Sequence, residues 1–556
     1  MSSIDQQKTA SRLTRRRFLA LGAGAVGAWA LAACSPQASN PTAVPASTAL
    51  PKDLSPTVGP AGGVVQVKAT TAPSGRRLRI GTSFSVSTLD PFVSHQSLVS
   101  YGITQTLFAI SPEQKIVPWI AQSMERNGDE GWTVKINPAA RFHSGKAIDA
   151  KAVLKAIERC MERGAAMASL KGAKYEVVDT HTLRIGTSRP DPWLPTHFVS
   201  SRNFPIFDAD LISEKPDTSD LTQKDFGCGP FKAVKLTPEV LSLDAVPDAW
   251  HGASKLAGVD VRFIVDPQAR LAALKTGEID LMLYPAADSV AQIKATPGLH
   301  FKLAMAGPGR TFWYMNHKKP PLDDVNVRKA CALGIDRKQI AEQVLNGLYQ
   351  ASDSWYPSYV PWRVANIRTD VAEAKRLLEQ SGWTMGSDGI RRKSDQRLSF
   401  DYYHYPQQPD SKVIAEAIQA QLKPLGIDLK LKQSDDILST WRGKTYDSGT
   451  TFYDMMEALN PAVRLERTFR TDGSENYGFW GSAELDSVID KLSTEFDTER
   501  QHALLREAQS ILDRDVPFTF VVGRIWPSVT NDAFASYEPP IENNYYAVGK
   551  DTAPAG

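Results

Sequence analysis

The segment from Asp266 to Tyr284 constrains the fold more tightly than any other. Asp266 stands where a helix N-cap belongs, Pro267 occupies the first turn, and Gly277 ends the run. An Asp oxygen accepts from the open N–H groups of a first turn, and Pro lacks an N–H that such a turn leaves unused. Gly tolerates the left-handed backbone that closes a helix. Glu278 to Tyr284 then alternates, with Ile279, Leu281 and Leu283 on one side, as a strand does. The same helix–glycine–strand unit returns at 411–432, broken by Gly426, and a helix over 498–513 runs into a strand over Phe518–Val522. Further helices fit at 150–163 with Asp149 as cap, 323–335, 370–380 and 484–495; short strands fit at Leu78–Thr82 and Trp132–Ile136. Helix and strand alternating along a chain predict α/β architecture. Roughly 480 residues are too many for one core, so two or more lobes are expected. The units fall into groups before and after about residue 310, with no long linker between them.

The N-terminus carries three zones. Lys8, Arg12, Arg15, Arg16 and Arg17 face only Asp5; Phe18 to Ala33 holds no charge; Leu31-Ala32-Ala33-Cys34 follows. A basic zone, a short apolar zone and small residues before a cleavage point make an export signal, too short for a typical spanning helix. Thr14-Arg15-Arg16-Arg17-Phe18-Leu19 resembles the twin-arginine signal. Leu-Ala-Ala-Cys resembles a lipobox, which makes Cys34 the lipidated residue and 1–33 the removed signal. Gly22-Ala23-Gly24-Ala25-Val26-Gly27 spells G-x-G-x-x-G but lies inside that signal, with no strand before it, so it is not a nucleotide loop. Residues 34–75, rich in Pro, Ala, Ser, Thr and Gly, read as a flexible tether.

The chain holds 64 Lys and Arg against 62 Asp and Glu, and residues 1–33 contain five of the former and one of the latter. The remainder is close to neutral, which argues against nucleic acid as a partner. Of four cysteines, Cys34 is claimed by lipid; Cys160, Cys228 and Cys331 cannot all pair, so no disulfide framework is expected. Cys160 falls on the apolar face of the 150–163 helix and reads as a core thiol.

Six collinear segments then become recognisable: Thr88-Leu89-Asp90-Pro91, Pro118 to Glu125, Arg141-Phe142-His143-Ser144-Gly145-Lys146, Cys228-Gly229-Pro230-Phe231, Arg270 to Asp280, and Lys319 to Ala330 running on to Ile335-Asp336-Arg337. In this order, over about 78–540, the chain resembles the family 5 extracellular solute-binding proteins, the peptide and nickel group that serves ABC importers. The resemblance implies a two-lobed periplasmic-binding-protein fold, class II-like (cluster C), with a small subdomain inserted in lobe I. It maps lobe I to 76–315 with the insertion at about 110–225, lobe II to 316–512, and a return to lobe I at 513–556. Hinge strands are expected near Phe312–Asn316 and Asp515–Val522. It also implies a monomer, tied to a bacterial membrane on the periplasmic or outer face, that hands a solute to permease subunits.

Candidate ligand residues follow, each beside its plainer reading. Asp454, in Thr451-Phe452-Tyr453-Asp454-Met455-Met456-Glu457, follows a strand that in peptide binders of the family ends in G-A-D-Y, where the Asp pairs with an α-ammonium. With Glu457 three residues on, it equally reads as a helix cap. Met-Met-Glu-Ala-Leu-Asn-Pro here also departs from the family's shorter acidic turn. Tyr453 adjoins it. Ser83 and Phe84, in the loop after the first strand, line the cleft or pack in the core. Trp355, after Ala351–Ser354, stacks on a ligand or packs at the surface. Arg310 clamps a carboxylate or is a solvated hinge residue. Trp480, between glycines, is a further aromatic candidate; of Trp313 and Tyr314, no more than one faces the cleft.

No His-Glu-x-x-His, Gly-x-Ser-x-Gly or complete phosphate loop occurs, and the nine histidines show no metal-ligand spacing, so no catalytic residue, metal site or cofactor is expected. The reading is a binder of a peptide or related small amino compound, such as an opine or a glutathione-like molecule. Alternatives are an oligosaccharide or nickel-chelate binder, or a sensory lipoprotein without a transport role.

Overall fold

Side-chain caps set the helices. Asp149 accepts from Ala152 N at 2.8 Å at the head of Ala150–Glu162. Asp266 accepts from Ala269 N at 2.7 Å before Pro267–Lys275, and Asp497 from Arg500 N at 2.9 Å before Thr498–Asp515. Gly426, at φ +80, closes the turn after the helix Ser411–Leu422 and leads into the strand Asp428–Gln433. The computed structural model describes residues 75–555 except Pro112, Glu130, 164–167, 201–202, 215–217, 305–306, Pro308, Pro409 and 541–546. The export signal with Arg15 and Arg16, Cys34, and the tether up to residue 74 lie outside the described residues. Among the described residues no helix is long and apolar enough to cross a membrane.

Two large sheets organise the body. One has seven strands in the order Leu299–Leu303, Pro527–Asn531, Leu281–Leu283, Arg77–Thr82, Gly258–Phe263, Val240–Ala245, Phe231–Leu236. The other has six, in the order Tyr349–Gln350, Thr519–Arg524, Gly309–Met315, Ser448–Asp454, Ser399–His404, Asp428–Gln433. A four-stranded sheet (Ala121–Arg126, Gly131–Ile136, Thr182–Gly186, Lys174–Asp179) packs against the helix Ala150–Glu162. The fold is two-lobed and α/β, each lobe built on one large sheet.

The chain passes between the large sheets twice, between Leu303 and Gly309 and at Ile525–Trp526. These crossings differ from the expected hinge strands. Phe312–Met315 and Thr519–Val522 lie within the six-stranded sheet, paired to each other. All residues of Gly309–Met315 and Thr519–Arg524 are buried, so no change of polarity marks where one lobe ends. Cys160, Cys228 and Cys331 are free and buried. Burial holds the thiols of Cys160 and Cys228 up at about 12.

Candidate functional site

Both crossings and both sheets meet at a box of aromatic rings around Arg524. Arg524 ends the Thr519–Arg524 strand, and its guanidinium lies 4.0 Å from the Trp526 ring centroid, 4.5 Å from Phe452 and 5.5 Å from Tyr284. Phe452 comes from the Ser448–Asp454 strand of lobe II, whereas Trp526 is in the second crossing. Tyr284 follows the lobe I strand Leu281–Leu283 at φ 55, a left-handed backbone that is rare for a bulky residue. Arg270 fixes that turn: buried in the helix Pro267–Lys275, it donates to Tyr284 O at 2.7 Å and to Val265 O at 2.7 Å. Phe84 closes the box edge-on to Tyr284, ring centroids 5.0 Å apart, and is 41 % exposed.

Asp454 ends its strand opposite Gly309 and is buried. The glycine is required: a Cβ there would lie 2.6 Å from the Phe452 ring and 3.0 Å from Asp454 Oδ1. Ser83 is buried beside Phe84, and its hydroxyl has no hydrogen-bond partner among the described residues. Near the box a second link joins the lobes: Asp410 accepts from Ala287 N at 3.0 Å and from Tyr349 Oη at 3.1 Å. Burial raises the Asp410 carboxyl above its ordinary range.

A separate contact between the lobes is built on the turn after Asp454. Ala458 (φ 55) and Leu459 (φ 62) both take left-handed backbone, and Ala458 is buried in the core of lobe I. Glu457 accepts from Ser200 Oγ at 3.3 Å across the interface, and Arg467 donates to Asn203 Oδ1 at 3.3 Å. Behind them Arg464, 1 % exposed, pairs with Glu457 at 3.4 Å and with Glu475, and its guanidinium lies 4.1 Å from the Tyr453 ring centroid. Burial works against the Arg464 charge, but the Glu475 and Glu457 carboxylates outweigh it and its pKa is raised. Trp193 Nε1 donating to Leu492 O at 3.2 Å completes this clamp.

The structure therefore gathers Ser83, Phe84 and Asp454 near the lobe junction and sets the other expected residues elsewhere. Trp355 is 2 % exposed in lobe II's core, its Nε1 donating to Asp513 at 2.8 Å and its ring against Phe469 and Phe520. Its loop looks exposed in sequence, yet Ser354 is fully buried and bonded to Gln509. Trp480 is buried in the same core, its carbonyl held by Asn476 at 2.6 Å. Tyr453 packs on Phe312 under Arg464, on the opposite side of its strand from Phe452 and Asp454. Arg310 is buried, not solvated: it donates to Gly309 O at 2.8 Å and Gly307 O at 3.3 Å, and burial lowers it to about 10. Trp313 and Tyr314 are both fully buried. Sequence reasoning missed Arg524, Trp526, Tyr284 and Phe452. The available signal was Arg524-Ile525-Trp526-Pro527, a cation ending a strand that carries no other charge.

Two lobes, each on one large sheet, joined by two strand crossings, make the fold of a two-lobed binding protein. The model of the bacterial extracellular solute-binding proteins, family 5 middle, matches residues 115–463, and the chain belongs to that family. It is 22% identical over 483 residues to the nickel-binding protein NikA of Staphylococcus aureus, covering 85% of this chain and 93% of that one. The crystal structure of that NikA in complex with Ni(L-His)2 matches with TM-score 0.76 at 20% identity, over 86% of this chain and 100% of the other. The oligopeptide-binding protein AppA of Bacillus subtilis, in complex with a nonapeptide, matches with TM-score 0.74 at 19% identity, over 87% and 100%.

Proposed function

We propose that this chain captures a peptide or related small amino compound at the junction of its lobes and delivers it to the permease of an ABC importer. The observation that carries the reading is the convergence of both lobes on one place, where the buried carboxylate of Asp454 lies beside aromatic walls. A buried carboxylate suits an α-ammonium, because the ion pair replaces the solvation that both groups lose. AppA, of the same fold, holds a peptide. Ser83 and Phe84 complete the lobe I wall; Tyr453 and Arg310 support the strand ends from the other side. The two crossings, between Leu303 and Gly309 and at 525–526, serve as the hinge, with lobe I before and after lobe II. A second reading, a nickel chelate, is favoured by the NikA match. Among the described residues no three His, Cys, Asp or Glu side chains gather to hold a metal, so the chelator's own atoms would hold the nickel.

A thermal-shift screen over peptides, opines, oligosaccharides and nickel chelates tests this. A true solute stabilises by RT ln(1 + [L]/Kd), about 2.7 kcal/mol at a hundredfold excess over Kd. Asp454→Asn should cut the affinity for an amine-bearing solute strongly; unchanged affinity, or shifts with sugars alone, would refute the amino-compound reading.

The N-terminal segment supports export by the twin-arginine route through Arg15 and Arg16, cleavage after Ala33, and lipid on Cys34, which tethers a monomer to the bacterial membrane near its permease. Several acyl chains hold durably, since each buried methylene adds about 0.8 kcal/mol. Cys34→Ser should release the exported protein from the membrane; retention would contradict the anchor.

A further inference from the structure

We infer that Arg524 receives a carboxylate group of the solute, so that the ligand carries an acid as well as any amine. The inference rests on reading the lobe junction as the solute site. Seven arginines are buried among the described residues, and six of them spend their donors inside the protein. Arg270, Arg310, Arg328 and Arg337 donate to main-chain carbonyls. Arg391 adds Glu379 to its carbonyl partners, and Arg464 pairs with Glu457 and Glu475.

Arg524 differs. It is 5 % exposed, yet it donates no side-chain hydrogen bond and pairs with no carboxylate among the described residues; its Nε, like those of Arg270 and Arg310, is buried without a partner. Ring faces cover it instead. Ring faces answer the charge in part, but none accepts a conventional in-plane hydrogen bond from the five N–H donors of a guanidinium. Arginine stays protonated in proteins, so this group cannot relieve its position by losing a proton. Its place is where a solute would be gripped: at the end of a lobe II strand, one residue before a crossing, under a lobe I tyrosine. Phe84, which closes the box edge-on to Tyr284, is 41 % exposed and so forms its solvent-facing side. Apolar walls around a planar fork favour a planar, bidentate acceptor with one negative charge, which is a carboxylate.

The test compares acids with their amides on the mature exported protein. Probes are Ala-Ala-Ala and its C-terminal amide, nickel with L-histidine and nickel with L-histidinamide, and maltotriose as a neutral control. Melting temperature and intrinsic tryptophan fluorescence are read for wild type, Arg524→Met and Arg524→Lys. Wild type should bind at least one acid about tenfold or more tighter than its amide, Arg524→Met should lose that preference, and Arg524→Lys should keep part of it, since it retains the charge without the fork. Should Arg524→Met not fold, as judged by near-UV circular dichroism, Arg524→Gln takes its place. Equal binding of acid and amide by wild type, or a preference that survives in Arg524→Met, overturns the role of Arg524 and leaves the solute-binding reading intact. No response to either acid overturns the carboxylate class, and a response to maltotriose alone overturns the amino-compound reading with it.

Discussion

Two of the contacts between the lobes each centre on a buried arginine. At the clamp, Arg464 meets Glu457 and Glu475 while Glu457 also accepts from Ser200 in lobe I. At the junction, Arg524 is covered by rings and pairs with no carboxylate among the described residues, with the Asp410 charge acting on it only through space. The clamp is complete without a solute, as a hinge contact must be; the junction leaves donors unanswered, as a receptor must. The same residue type at the same depth thus serves opposite ends, and what separates them is whether the protein supplies the anion.

The largest expected effect breaks the clamp. Arg464→Met strands Glu457 and Glu475 and should lower unfolding stability by about 3–5 kcal/mol in urea melts. Arg524→Met, by contrast, strands no partner and should leave the ligand-free urea midpoint close to wild type. Gly309→Ala pushes a methyl into the Phe452 ring and Asp454. It should cost about 1–3 kcal/mol and weaken any solute response, because the junction wall must shift.

A smaller effect tests the second link at the junction by pH. Asp410 is raised by burial, so the folded protein holds that proton more tightly than the unfolded chain. Its contribution therefore makes stability fall as pH rises from the ordinary carboxylate range through the folded pKa. Asp410→Asn should remove that fall and raise the melting temperature at neutral pH; an unaltered pH profile would contradict it. Smallest is Ser200→Ala, which deletes one bond to Glu457 and should cost about 0.5–1.5 kcal/mol, read as a melting-temperature shift.

Local chemistry made much of the fold legible. Asp149, Asp266 and Asp497 cap the helices they precede, because a cap is written in one residue and its spacing to the next turn. The crossings were not legible. Gly309–Met315 and Thr519–Arg524 are buried on both faces, so neither carries the polar alternation that would mark an edge between lobes. The site was half legible. Asp454 ends one strand and Phe84 follows another, and both strand ends point to the lobe junction. Trp355 lies in lobe II's core although its loop looks exposed, because Ser354 is fully buried and bonds to Gln509. Arg524 drew no reading from the sequence, because the rings of Tyr284 and Phe452 that cover it lie far apart along the chain.

The central claim is that solute closes the junction while the clamp is already formed. Hydrogen–deuterium exchange with and without an acid probe that raises the melting temperature, Ala-Ala-Ala or nickel with L-histidine, tests it most directly. The account predicts new protection at 82–86, 284–288, 450–454 and 523–527, with exchange at 193–200 and 457–467 unchanged. Protection confined to the clamp, or centred on Trp355 and Asp513 in lobe II's interior, would contradict it.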